Sequence, residues 1–156
     1  MPLISSCEGP AGPAGPPGYS AEAIVYETAP IDFNTPSYGM FFTFPTAALS
    51  SDHVLAYRLV GQDNGADVWK LLPEQFFFTD GTFDFAYNYD FTRYDVNFFI
   101  DGQDLGTLSP DVTQNQIFRV VIVPGTMFNK NTVNYRDYDA VMQALGLDGK
   151  PVVRLN

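Results

Sequence analysis

Three residue types that often build functional sites are nearly missing from this chain of 156 residues. It contains one cysteine, Cys7, one histidine, His53, and one tryptophan, Trp69. A single cysteine excludes an intramolecular disulfide, a C-x-x-C redox pair and a cysteine-based zinc site. A single histidine, without a Gly-x-Ser-x-Gly motif, leaves no pattern typical of a Ser-His-Asp hydrolase. We therefore expect no enzymatic activity, no catalytic residues, no metal and no cofactor.

Basic charge and long apolar runs are also scarce. Eight Lys and Arg residues stand against 18 Asp and Glu residues, so the net charge is −10. Because a nucleic-acid binder needs a basic face to neutralise phosphates, we expect no nucleic-acid partner. A polybasic attachment to anionic lipid is disfavoured for the same reason. No apolar run approaches the ~18 residues that a membrane-spanning helix needs.

The most specific pattern that is present lies at the N-terminus. Leu3-Ile4-Ser5-Ser6 places apolar and then small residues directly before Cys7. This order resembles the lipobox of bacterial lipoproteins, in which signal peptidase cuts before a cysteine whose thiol receives a diacylglycerol. We expect residues 1–7 to be the remnant of a lipoprotein signal peptide and Cys7 to be the lipidated residue. The alternative is a free thiol in the tail of a cytosolic protein.

A repeat of three residues follows directly. Gly9, Gly12, Gly15 and Gly18 recur at a strict period, and proline follows the first three of them. Only glycine fits at the axis of a collagen triple helix, and proline presets the extended polyproline II backbone of each strand. Residues 8–20 are therefore predicted to form a collagen-like stalk. Two interpretations stay open: a stiff monomeric spacer, or a short triple helix that joins three chains and their heads.

Residues 21–156 are predicted to form one all-β head domain. The chain is 15% aromatic, which favours strands, and turn signals separate its short apolar segments. The clearest strand covers residues 82–91, where five aromatic residues alternate with five small or polar ones. The other predicted strands are 23–26, 38–44, 53–60, 67–72, 75–79, 95–100, 114–123 and 151–155. We expect an antiparallel β-sandwich, with an open barrel as the second choice.

Turns and one helix complete the predicted head. Asp80-Gly81 and Asp101-Gly102 are strong hairpin signals, because both residues tolerate the backbone of tight turns. Residues 61–66 are expected to be a loop. Only residues 134–145 show helical spacing of apolar residues, with Asn134 or Asp137 as the N-cap.

Several segments resemble those of a known family. Cys7 followed by Gly-Pro-Ala triplets, together with segments 67–73, 98–102 and 114–120, is similar to collagen-like small envelope lipoproteins of Gram-negative bacteria. The resemblance covers nearly the whole chain. It implies a location in the cell envelope, on the outer membrane, with the head facing the periplasm or the surface. It implies no particular activity for any residue of the head.

Two binding sites are weaker hypotheses. Residues 63–67 and 101–104 offer oxygen ligands beside a glycine, as calcium prefers, although ordinary hairpin turns explain them equally well. Trp69, Tyr89 and Tyr94 are a candidate platform for stacking sugars, although Trp69 fits better in the core.

We thus expect a non-enzymatic envelope protein, held to the membrane by its lipid anchor, with a head that contacts another protein or its own copies. A glycan- or calcium-binding module and a subunit of a trimeric surface fibre are the alternatives.

Overall fold

A computed structural model describes residues 22–128 and 133–156 of the chain. In it, the segment with alternating aromatic residues, 82–91, forms the strand Phe83–Phe91. Phe85 and Tyr87 point into the core from this strand and are almost fully buried. Phe91, at its end, is still 47% exposed. The predicted strand is therefore confirmed, and at one end its aromatic face extends beyond the core into solvent.

The described part of the chain contains nine strands, three short helices and one 3-10 turn. The strands are β1 (Ile24–Thr28), β2 (Gly39–Thr43), β3 (His53–Asp63), β4 (Ala66–Leu71), β5 (Glu74–Phe77), β6 (Phe83–Phe91), β7 (Asp95–Gly102), β8 (Phe118–Val123) and β9 (Val153–Leu155). The helices are α1 (Pro110–Thr113), α2 (Gly125–Phe128) and α3 (Tyr138–Ala144), and the 3-10 turn is Leu105–Thr107.

The strands form two sheets that do not close into a barrel. The five-stranded sheet has the order β4-β3-β8-β1-β9, and the four-stranded sheet has the order β2-β7-β6-β5. All neighbours pair antiparallel except β1 and β9, which are parallel. The prediction of an all-β, sandwich-like fold with one short C-terminal helix is confirmed, and β8 lies at the centre of its sheet as expected.

The core between the sheets is rich in aromatic rings. Phe118 on β8 is fully buried, and its ring stacks on Phe98 of β7 at 4.4 Å between centroids. Phe33, in the segment between β1 and β2, meets Phe118 edge to face at 5.9 Å. Stacked and edge-to-face pairs add to the energy of burial alone. The aromatic residues that the composition places in strands therefore bind the two sheets together.

A second apolar layer covers the outer face of the five-stranded sheet. Val141 and Met142 of α3, together with Leu147, pack on Val121 and Trp69. The Asp137 carboxylate accepts a hydrogen bond from the Ala140 amide at 3.1 Å and caps the helix. The predicted helix is confirmed over its central residues, and Asp137 is its N-cap.

Three sequence predictions need correction. Asp101 and Gly102 do not form a hairpin, because they lie within β7 and pair with Ala86 and Phe85 of β6. A Cβ atom at residue 102 would lie 2.9 Å from the Asp84 carbonyl oxygen, so this glycine allows close strand approach and makes no turn.

The other two corrections concern strand boundaries. The strand predicted at 114–123 begins only at Phe118. The preceding residues include Asn115, whose φ of 56° is outside the extended region. The loop predicted at 61–66 is a tight hairpin, since β3 continues to Asp63 and only Asn64 and Gly65 turn the chain.

Candidate interaction surface

The two sheets differ in what lies on their outer faces. Helix α3 and the following segment cover the five-stranded sheet. On the four-stranded sheet, no described element packs against the face turned away from the core. This open face and its rims are the candidate functional surface, which we call the open sheet.

The open sheet is acidic. Because side chains alternate along a strand, the buried residues of β6 and β7 place their neighbours outward. Those neighbours include four aspartates, Asp84, Asp90, Asp95 and Asp101. The sequences of β2, β5, β6 and β7 contain no Lys or Arg. An acidic face without cations favours a partner that carries positive charge.

Exposed aromatic residues interrupt the acidic face. Phe41 of β2 is 68% exposed, the largest fraction among the exposed large hydrophobic residues of the described chain. Phe99 of β7 is half-buried and lies directly across from Gly39. Phe41 and Phe99 are diagonal neighbours across the β2–β7 pair, and an exposed apolar patch with a polar rim is typical of a contact surface.

The hairpin between β5 and β6 carries two further exposed rings. Phe77 and Phe78 are both more than half exposed, and Phe77 meets Phe83 edge to face at 6.1 Å. The Asp80 carboxylate accepts hydrogen bonds from the Thr82 hydroxyl at 2.6 Å and the Thr82 amide at 2.9 Å. These bonds hold the pKa of Asp80 below its usual value. The hairpin thus presents its phenylalanines on a well-fixed turn.

At the opposite end of the four-stranded sheet, an aromatic pair lies on the core-facing side of β6. Phe91 stacks on Tyr89 at 6.1 Å, and Tyr94, in the turn between β6 and β7, is 59% exposed. The Arg93 guanidinium lies 5.6 Å from the Tyr94 ring, and its Nε donates to the Ala48 carbonyl oxygen at 3.0 Å. The turn is therefore anchored to a neighbouring loop.

A half-buried polar cluster lies on the outer face of the five-stranded sheet. The Arg119 side chain donates to a Glu27 carboxylate oxygen at 3.0 Å and to the Tyr138 hydroxyl at 2.7 Å. Its guanidinium lies 4.3 Å from the centre of the Trp69 ring. Because Arg119 and Glu27 lie on the sheet and Tyr138 begins α3, these contacts fasten α3 to the sheet.

The proposed sugar platform is not assembled. Trp69 is 7% exposed beneath Arg119, so the prediction that it is a core residue is confirmed. Tyr89 belongs to the four-stranded sheet, and its hydroxyl donates to the carbonyl oxygen of Val54 in β3 at 2.8 Å. Tyr94 lies in a turn at the rim. The three rings share no surface.

The two candidate calcium segments have ordinary structural roles. In the first, Asp67 accepts a hydrogen bond from Gln62 at 3.0 Å across a two-residue turn. In the second, Asp101 is part of β7. Within residues 22–128 and 133–156, no group of three or more His, Cys, Asp or Glu side chains is placed to hold a metal ion.

The Asp52 carboxylate has one buried oxygen without a hydrogen-bond partner in the described chain. That oxygen is Oδ1, whereas Oδ2 accepts from the Leu49 amide at 2.8 Å. It borders a cavity of about 190 Å³ that Glu22 and Tyr26 also line. Two carboxylates supply too few oxygens to satisfy a hard cation.

The predicted N-terminal sites cannot be placed beside these features. Cys7, Gly9, Gly12, Gly15 and Gly18 lie outside the described residues. The part of the chain that the structure describes contains no helix long and apolar enough to cross a membrane. Phe41 and its strand are a functional candidate that the sequence interpretation overlooked, although the eight uncharged residues between Pro36 and Pro45 are a readable signal of an uncharged strand.

Comparison with protein families, with curated proteins and with solved structures gives no match to this chain.

Proposed function

We propose that this chain is a non-enzymatic, lipid-anchored envelope protein whose sandwich head binds another protein through the open sheet. One observation carries the head's role: an acidic face with exposed phenylalanines that no described element covers. Burying such rings against a partner is favourable, and the aspartates would select a partner with complementary charge.

The anchor is proposed from the sequence. Cys7 is the one cysteine of the chain and follows small residues, as acylation at a lipobox requires. The glycine triplets after it would hold the head away from the membrane, at roughly 3.1 Å per residue in the polyproline II conformation. Because the net charge is −10, an anionic membrane surface would repel the head and leave the open sheet free for protein.

A glycan-binding role receives less support. Sugar stacking needs an exposed aromatic platform, and Trp69 is covered by Arg119. A calcium-binding role likewise lacks a suitable group of carboxylates in the described segments. Contact with protein is the function that the exposed residues support best.

Mass spectrometry of the natively produced protein tests the anchor. We expect an N-terminal Cys7 that carries acyl chains, and we expect a Cys7→Ala variant to stay unacylated and to leave the membrane fraction. A bare thiol with residues 1–6 still attached would refute the anchor.

Site-specific photo-crosslinking tests the head. A photoreactive residue at Phe41 or Phe78 should give adducts with one protein of defined mass, and Asp90→Asn with Asp101→Asn should weaken them. The matched control position is Gln62, on the five-stranded sheet. Equal crosslinking from Gln62, or none from the open sheet, would refute the proposed surface.

A further inference from the structure

Strand β2 is an edge whose backbone groups point away from the sheet. The Ile100 amide donates to the Tyr38 carbonyl oxygen at 3.0 Å, and the Phe44 amide donates to the Tyr94 carbonyl oxygen at 2.8 Å. In an antiparallel pair, alternate residues bond to the partner strand. The even-numbered residues from 38 to 44 therefore bond to β7.

The odd-numbered residues of β2 face the other way. The amide and carbonyl groups of Gly39, Phe41 and Thr43 point outward, and no described residue pairs with them. These three alternate residues present a regular series of unpaired amide and carbonyl groups, to which another strand could bond.

The other sheet edges of the described chain are protected. Strand β5 begins with Glu74, which Arg58 binds, and its pairing has an irregularity at Phe76. Strand β4 carries Asp67 and Lys70. Strand β9 has three residues, one of them Arg154. Charge, bulges and short length are the usual means of blocking strand addition.

Strand β2 has none of these protections. Its sequence, Gly-Met-Phe-Phe-Thr, contains no charge and no proline, and its register with β7 is regular. Met40 is 40% exposed and Phe41 is 68% exposed, on opposite faces of the strand. A strand added here would cover apolar surface on both faces.

We propose that β2 pairs antiparallel with β2 of a second copy of this chain, around a two-fold axis through Phe41. This inference rests on the proposed role of the head in protein contact and names the partner at this edge. The pairing joins two four-stranded sheets into one continuous sheet of eight strands.

The pattern of outward groups fits its own copy. With Phe41 on the axis, Phe41 meets the other Phe41, and Gly39 meets Thr43, so each outward residue meets an outward residue. Met40 then lies opposite Phe42. Paired Cβ atoms across such strands are roughly 4.5–5.5 Å apart, close enough for the two Phe41 rings to pack. Such a contact is isologous and closed, and it leaves neither β2 edge open.

The absence of charge on β2 permits a copy at this edge. Two heads with a net charge of −10 repel each other, and charges directly opposite across strands destabilise pairing. Strand β2 places no charge in the contact, so the copies meet at the one uncharged edge strand of the described sheets.

Sedimentation of the full chain, under reducing conditions and over a range of concentrations, tests the proposal. We expect a monomer–dimer equilibrium. Phe41→Lys introduces like charges at the axis, and Phe41→Pro removes one outward donor without breaking a bond to β7. Each should raise the dissociation constant at least tenfold.

The matched control is Gln75→Lys, on the other edge strand of the same sheet, which should leave the dissociation constant unchanged. Far-UV circular dichroism and the melting temperature show whether each variant is folded. A wild-type chain that stays monomeric overturns the inference, as does a dimer that persists in both Phe41 variants.

A trimer whose mass is the same in Phe41→Lys also overturns the inference, because assembly would then depend on other residues. Failure here is distinguishable from failure of the proposed function. A monomer with acylated Cys7 and crosslinks to another protein would keep that function, whereas a dimer with an unmodified thiol would refute only the anchor.

Discussion

The Arg58 guanidinium and the Glu74 carboxylate join the two sheets through two hydrogen bonds, of 2.7 Å from Nε and 3.0 Å from Nη2. Arg58 belongs to β3 and Glu74 begins β5. A third guanidinium nitrogen, Nη1, donates to Gln116 at 2.9 Å, and the Tyr87 ring lies 4.5 Å away. The side chains are only 13% and 8% exposed. Both carboxylate oxygens of Glu74 accept from this guanidinium, and two of its three nitrogens donate to the carboxylate.

Removing the carboxylate should therefore destabilise the head strongly. We expect Glu74→Ala to lower the free energy of unfolding by about 3–5 kcal/mol, because it leaves the Arg58 charge buried without a partner. Urea denaturation measures this loss. The control, Asp67→Ala, breaks an exposed hydrogen bond to Gln62 and should cost under about 1 kcal/mol. Equal losses in the two variants would contradict the structural role of the pair.

The stacked pair in the core gives a second expectation. Phe118 is fully buried against Phe98, so Phe118→Ala should lower the free energy of unfolding by about 3–5 kcal/mol. Phe78→Ala, at a residue 55% exposed, is the matched control and should change stability little. Denaturant titrations compare the two. A small effect at Phe118 would mean that the sheets do not pack as described.

Alkaline pH should unfold the head. Burial raises the pKa of Tyr87 to about 12 and raises the pKa values of Tyr57 and Tyr138. The unfolded chain loses these protons near pH 10, before the folded chain does, so deprotonation favours unfolding. The contribution of Tyr87 is present below about pH 10 and is lost between about pH 10 and 12, at about 1.4 kcal/mol per pH unit.

Tyrosine ionisation and secondary structure should therefore change together. We expect part of the rise in absorbance at 295 nm to coincide with the loss of circular dichroism above pH 10, because the buried tyrosines ionise when the head unfolds. In the folded state the Tyr57 hydroxyl donates to the Tyr135 carbonyl oxygen and the Tyr87 hydroxyl donates to the Val112 carbonyl oxygen, both at 2.6 Å. Complete ionisation of all tyrosines near pH 10 in a chain that stays folded would refute this burial.

Removing the N-cap of α3 should cause a smaller loss of stability, which a different substitution at the same residue should restore. Asp137→Ala should lower the free energy of unfolding by about 1 kcal/mol, since the Ala140 amide loses its acceptor. Asp137→Ser should restore most of it, because a serine oxygen can accept the same bond. Thermal unfolding distinguishes the two variants. Equal melting temperatures for the alanine and serine variants would show that the cap contributes nothing.

Alternation and turn chemistry predicted most of the fold. The aromatic face of β6 was readable because one side of the strand is buried and the other is not. The prediction of a hairpin at Asp101-Gly102 was wrong because glycine also occurs where two strands approach closely. Sequence spacing does not distinguish this role from that of a turn residue. The one-turn helices α1 and α2 are too short to show a helical period.

The site was harder to predict than the fold. Trp69 and Tyr138 are far apart along the chain, yet both pack around Arg119, and the sequence does not show such contacts. Whether β2 has an unpaired edge depends on its position in the sheet order. Sheet order comes from long-range pairing, so the exposed state of Phe41 follows only from the three-dimensional arrangement.

The parallel pairing of β9 with β1 has a practical result for labelling. Tyr26 is opposite Val153 and Thr28 is opposite Leu155, so both strands run toward the same end of the sandwich. The chain enters β1 at one pole of the head and leaves β9 at the other. A fluorophore attached after Asn156 would therefore report on the pole remote from Glu22.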